Sequence, residues 1–108
     1  MEAVTRGKFA LPIDQDQVAR DWERRGYDCR VFVDGPGQEW NGFVHATNEL
    51  VTVVEGALEC TLEDPGAGGV SRQAHRLAPG DELFIPRHAV HSVRNIHPGT
   101  TRWLFGYD

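Results

Sequence analysis

Polar and apolar positions alternate with period two in several short runs beyond residue 28, and take a helical spacing once before it. At residues 29–33, Cys29, Val31 and Val33 share one face while Arg30 and Phe32 share the other. Residues 38–44 follow as a strand, and residues 49–55 are a β-branched run with LVTVV at its centre. Leu58, Cys60 and Leu62 then alternate with Glu59, Thr61 and Glu63, which predicts a half-buried strand. Residues 70–77, 83–85, 90–95 and 101–107 complete the set, the last with Trp103, Phe105 and Tyr107 on one face. Turn signals separate these runs at 34–37, 46–48, Gly56, 64–69, 78–81, 86–88 and 97–99.

The single helical stretch begins at Asp14, a capping residue, and runs to about Arg25 before Gly26 ends it. Val18, Ala19 and Trp22 give it one apolar face, with Trp22 the expected clamp onto the strands. Asp16 with Arg20, and Asp21 with Arg25, form acid-to-base pairs four apart on its wet side. Residues 1–12 read as an extended arm. Roughly eight short strands after one helix predict a sandwich or barrel, and the lack of strand–helix alternation disfavours a parallel α/β sheet. The expected organisation is one domain: an arm and helix over 1–28 packing on a β-barrel over 29–108.

Composition narrows the partners. A chain of 108 residues supports one core. Its 40% hydrophobic and 25% charged content is that of an ordinary globular protein. A net charge of -5 without a basic block argues against nucleic acid or anionic membrane as a partner, with Arg20, Arg24 and Arg25 the local exception. No run is apolar enough for a secretory signal or a bilayer span. Cys29 and Cys60 form no CxxC pair and read as reduced thiols, so a cytoplasmic protein is the default expectation.

Chemistry concentrates in two stretches, 37–56 and 80–95, which hold His45, Glu49 and His91. These three are expected to meet inside the barrel. On one unbroken strand His45 and Glu49 would lie about 13 Å apart, too far to share an ion. A turn at 46–48 would set them opposite each other on an antiparallel pair, with Cβ atoms about 5 Å apart. A shared metal therefore requires that hairpin. The alternative is a pocket of satisfied polar groups with no metal, in which a His–Glu hydrogen bond partners the buried carboxylate.

The same stretches resemble the paired motifs of the cupin superfamily. Gly37, Phe43, His45, Glu49 and Gly56 fall at the intervals of the first motif, and Gly80, Pro86, His88, His91 and Asn95 at those of the second. The motifs cover about a third of the chain. The resemblance implies an antiparallel jelly-roll barrel, or double-stranded β-helix, with three of the four usual metal ligands: His45, Glu49 and His91. It departs from the family at Phe43, which replaces the first metal histidine, and at His88, which replaces a turn glycine. His88 could substitute as a ligand only if the turn breaks strand parity.

Two histidines and a carboxylate suit a divalent transition metal, whether iron, zinc, manganese or nickel. The resemblance then implies oxygenase, isomerase or lyase chemistry on a small molecule, with Tyr107 or His88 as candidates for moving protons. Phe43 is expected to point inward beside the site, and Trp40, Trp103 and Phe105 either line the pocket with it or belong to the core. A second reading is a non-catalytic ligand-binding or sensor module, which the absent first histidine favours. Small barrels of this kind also pair through their outer sheets, so a homodimer is expected. Asp81 and Glu82 read as solvated, as do His75 and His97.

Overall fold

The computed structural model describes residues 3–64 and 71–108. Among them are nine strands and one helix: β1 (Val4–Thr5), α1 (Gln15–Arg24), β2 (Arg30–Asp34), β3 (Glu39–Phe43), β4 (Glu49–Glu55), β5 (Leu58–Asp64), β6 (Ser71–Leu77), β7 (Glu82–Ile85), β8 (Val90–Asn95) and β9 (Thr101–Tyr107). They form two antiparallel sheets, one in the order β1-β7-β4-β9-β2 and the other in the order β3-β8-β5-β6. From β2 onward the chain changes sheet at every connection except β5 to β6, which gives the expected jelly-roll. The loop expected between β5 and β6 falls at residues 65–70, outside the described residues.

Sequence alternation decides what each face buries. In β4, Val51 and Val53 point between the sheets and pack with Leu58, Cys60, Leu77 and Leu83. Leu50 and Val54 point the other way, where Val18 and Trp22 of α1 and Leu104 of β9 cover them. This strand is therefore buried on both faces, which explains its continuous apolar run. Asp14 caps α1 by accepting from the Asp16 and Gln17 amides. In the arm, Val4 and Thr5 pair with Leu83 and Glu82 of β7.

Two acidic residues read as solvated are buried and fully engaged. Glu82 accepts the Trp22 indole N–H at 2.9 Å and a two-pronged Arg25 guanidinium at 2.9 and 2.8 Å. Asp81 accepts the Gly7 and Ala78 amides, each at 2.9 Å, and pairs with Arg6. The cause is tertiary: the arm and the helix return over the 78–81 turn and bring donors to carboxylates that local sequence leaves in water. His75 is likewise half-buried rather than wet, facing Cys60 across β5 and β6.

Candidate metal centre

Glu49 opens β4 on the same face as Val51 and Val53, so alternation aims it between the sheets, 4% exposed. Its register partner on β9 is Tyr107. His91 lies on β8 with Val93 and Asn95 on the inner face and is also 4% exposed. His45 stands on neither sheet. It belongs to the crossover at 44–48 that carries the chain from β3 to β4. The crossover is pinned at both ends: the His45 carbonyl accepts the His88 amide at 2.8 Å, and Asn48 Oδ1 accepts the Arg87 amide at 2.9 Å.

The hairpin expected between His45 and Glu49 is absent, because β3 pairs with β8 and β4 pairs with β7 and β9. The residues meet through a change of sheet instead. His45 Nε2 lies 3.7 Å from Glu49 Oε1, and His91 Nε2 lies 3.4 Å from the same oxygen. One ligand atom from each of the three residues falls within 4.8 Å of the others. Donors held about 2.1 Å from one tetrahedral ion stand about 3.4 Å apart, close to the two distances from Glu49 Oε1 to the imidazoles.

His91 Nδ1 lies 3.2 Å from the Ala89 carbonyl oxygen and donates to it, which sets Nε2, a metal ligand once it has lost its proton, toward Glu49. Burial alone would lower the His91 pKa, but the Glu49 carboxylate and the Ala89 carbonyl outweigh it and raise the value above its ordinary range. Glu49 Oε1 is buried without a hydrogen-bond partner, an expensive state for a carboxylate oxygen. The Tyr107 hydroxyl sits 3.4 Å from His45 Nε2. Burial, then the charge of Glu49, raises its pKa, so the phenol keeps its proton at neutral pH.

The triad lines a cavity of about 270 Å³. Trp40, Phe43, Trp103 and Phe105 all line it, joined by Phe32, Val93 and Tyr107. Trp40 and Phe43 are three apart and would take opposite faces of a regular strand. A bulge between them, with Gly42 at φ 72°, turns both inward. Phe43 sits at the mouth, 40% exposed, its ring 6.3 Å from His45 and 6.1 Å from His91. His88 does not line the cavity; it is exposed in the turn at φ 68°, the left-handed conformation that a glycine would take there without strain.

Three contributions escape a reading of the sequence. Phe32 lines the cavity, as its alternation against Val31 and Val33 could have indicated. Asp34, read as part of a turn, is fully buried at the end of β2 and accepts the indole N–H groups of Trp40 and Trp103, each at 2.9 Å. Asn95 is a structural latch. It donates to the carbonyls of Asp34, Gly35 and Gly99 and accepts from the His97 amide and the Thr101 hydroxyl.

The sequence profile of the Cupin domain family matches residues 30–107. No curated protein sequence matches the chain. Among solved structures, the fold is similar to an oxalate oxidase in complex with the substrate analogue glycolate, at a TM-score of 0.70 and 18% identity over 77% of this chain and 42% of that one. It is also similar to the oxalate decarboxylase of Lactobacillus farciminis, at 0.67 and 18% identity over 75% of this chain and 23% of that one. The CENP-C cupin domain of Drosophila melanogaster gives 0.66 and 15% identity over 74% and 59%. The chain thus spans less than half the length of either oxalate enzyme.

Proposed function

The chain belongs to the cupin domain family, and from that premise we propose that it holds one divalent transition metal on His45, Glu49 and His91 and acts on a small molecule by oxygenase, isomerase or lyase chemistry. The observation that carries this reading is the Glu49 Oε1 atom, buried without a partner and 3.4 and 3.7 Å from two imidazole Nε2 atoms. A cation shared by the three residues supplies what that oxygen lacks.

A metal so bound would polarise an oxygen-bearing substrate, or support dioxygen chemistry if it is iron. The remaining tasks fall to the protein. The Ala89 carbonyl fixes the His91 tautomer. The Phe43 ring, 6.3 Å from His45 and 6.1 Å from His91, narrows the approach to the triad. The Tyr107 phenol, protonated and 3.4 Å from His45 Nε2, is the group best set to give a proton to a bound substrate.

Elemental analysis of the purified protein and of His91→Ala tests the assignment. A near-stoichiometric transition metal that disappears in the variant supports it. No metal in either sample, and none taken up from added iron, zinc, manganese or nickel, would leave a ligand-binding module as the reading. That second reading draws support from Phe43, which occupies the position of a fourth ligand with a hydrocarbon ring. The expected homodimer has a candidate face on the outer side of the edge strand β2, where Val31 and Val33 are 53% and 52% exposed. Sedimentation showing a monomer at micromolar concentration would remove it. Among the described residues no helix is long and apolar enough to cross a membrane.

A further inference from the structure

We propose that the cavity is a slot for a flat, uncharged, ring-containing ligand that presents one oxygen group to the triad, and that Asp34 sets the slot by holding two of its walls. The oxygen end and the exclusion of a cationic ligand rest on the metal reading above; the ring walls do not.

The lining divides by chemistry. Every polar group that faces the cavity comes from His45, Glu49, His91 or Tyr107, with indole nitrogens turned away to Asp34. The rest is hydrocarbon. On one sheet Phe32 stands 5.7 Å from Trp103, which stands 5.4 Å from Phe105, and Phe105 leads to Tyr107 at 5.9 Å. On the other sheet Trp40 and Phe43 follow at 6.4 Å and reach His91. Two aromatic rows thus converge on the triad, and they touch at Phe32 and Trp40, which stand edge to face at 5.5 Å and bound the slot there. Ring walls of this kind favour a flat π-system between them.

Charge excludes the alternatives. Among the described residues no Lys or Arg lines the cavity. A small dicarboxylate would therefore bring two negative charges into an apolar space that already holds Glu49, with at most one metal to answer them. A cationic ligand would meet the metal's own charge at the only polar end. A volume of about 270 Å³ lies just under the roughly 300–1,000 Å³ of sites for drug-sized ligands, which fits one or two rings.

Asp34 makes the slot rigid. Trp40 comes from one sheet and Trp103 from the other, and a single carboxylate, fully buried, accepts both indoles. A buried carboxylate answered by two neutral donors is a costly way to join two sheets, and hydrocarbon packing would do it more cheaply. What the carboxylate adds is orientation, because each indole is fixed about its ring axis.

The test is calorimetric titration of the full chain, metal-free and loaded with manganese(II), with 2-naphthol, oxalate and tetramethylammonium. Saturable one-to-one binding of 2-naphthol to the metal-free protein is expected, tighter with manganese, with oxalate not binding the metal-free protein and tetramethylammonium not binding the manganese-loaded one. Oxalate binding the metal-free protein, or tetramethylammonium the manganese-loaded protein, more tightly than 2-naphthol does, or no saturable 2-naphthol binding, overturns the slot. If manganese binds and 2-naphthol does not, the slot fails and the metal reading stands. If 2-naphthol binds and no transition metal does, the reverse holds. Asp34→Asn keeps the shape but cannot accept both indoles; about a tenfold loss of 2-naphthol affinity is expected, with manganese affinity at the triad unchanged. A parallel loss of both would make Asp34 merely structural. Should that variant not fold, Trp103→Phe removes one of the two indole bonds from the other side.

Discussion

Replacing Glu49 by glutamine tests the centre of the structure. The carboxylate oxygen that faces both imidazoles has no hydrogen-bond partner, so the metal-free protein gains little from its charge at that atom. A carboxamide of the same shape removes a buried charge and a metal ligand together. Without metal, above the pH at which His91 titrates, Glu49→Gln is expected within about 1 kcal/mol of the parent. With metal the two proteins part. A ligand present at a hundred times its Kd stabilises by about 2.7 kcal/mol, and for a domain of this size that raises Tm by roughly 10–20 °C. The variant should lose most of that rise. Proton linkage adds a second signature. The His91 pKa is raised above 6.5 by Glu49 and the Ala89 carbonyl against the opposing effect of burial, so the stability it contributes is complete below that value and is lost as pH rises through the folded pKa. Metal must displace that proton, so the metal-induced rise should shrink between about pH 8 and pH 5.5. Melting curves at the two pH values, with and without iron, zinc, manganese or nickel, read all of this. A Glu49→Gln protein that keeps the full metal-induced rise would refute the reasoning.

Glu82→Ala leaves the Trp22 indole and the Arg25 guanidinium without their acceptor, and a loss of about 2–4 kcal/mol is expected in urea unfolding, with an unchanged m-value. Gly42→Ala meets open space, so its cost is the left-handed backbone alone, about 1–2 kcal/mol; near-ultraviolet circular dichroism should change with it if the bulge is what turns Trp40 and Phe43 inward. Cys60 is fully buried, and burial followed by the charges of Glu49 and Glu59 pushes its thiol far above the ordinary range. Iodoacetamide should modify it only after unfolding in denaturant, which mass mapping would show.

The elements were legible where local pattern and final environment agree. The alternation in β9 sets Trp103, Phe105 and Tyr107 on one face, and that face lines the cavity. The helix from Asp14 follows from its cap and its Val18–Trp22 stripe. What stayed hidden depends on partners distant in sequence. Asp81 and Glu82 look like surface acids because their donors, Arg6, Gly7, Trp22 and Arg25, come from the arm and the helix. Asp34 looks like a turn residue because its two indoles come from β3 and β9.

The site was legible as a set of residues and illegible as a geometry. A four-residue spacing between His45 and Glu49 fits a hairpin, since local pairing is the shortest way to bring them together. The chain solves the same problem by changing sheet, and the solution alters the chemistry. A hairpin would have placed both ligands on paired strands of equal rigidity. Instead Glu49 and His91 project from opposed sheets, both 4% exposed, while His45 rides on a crossover, 31% exposed at its side chain. Two ligands are thus set by the barrel and the third by the bonds that pin the crossover, from the His88 amide to the His45 carbonyl and from the Arg87 amide to Asn48. The 86–88 turn, which lines none of the cavity, therefore acts on the site through the backbone of His45. That gives His88 a bearing on the centre without requiring its ring to enter it.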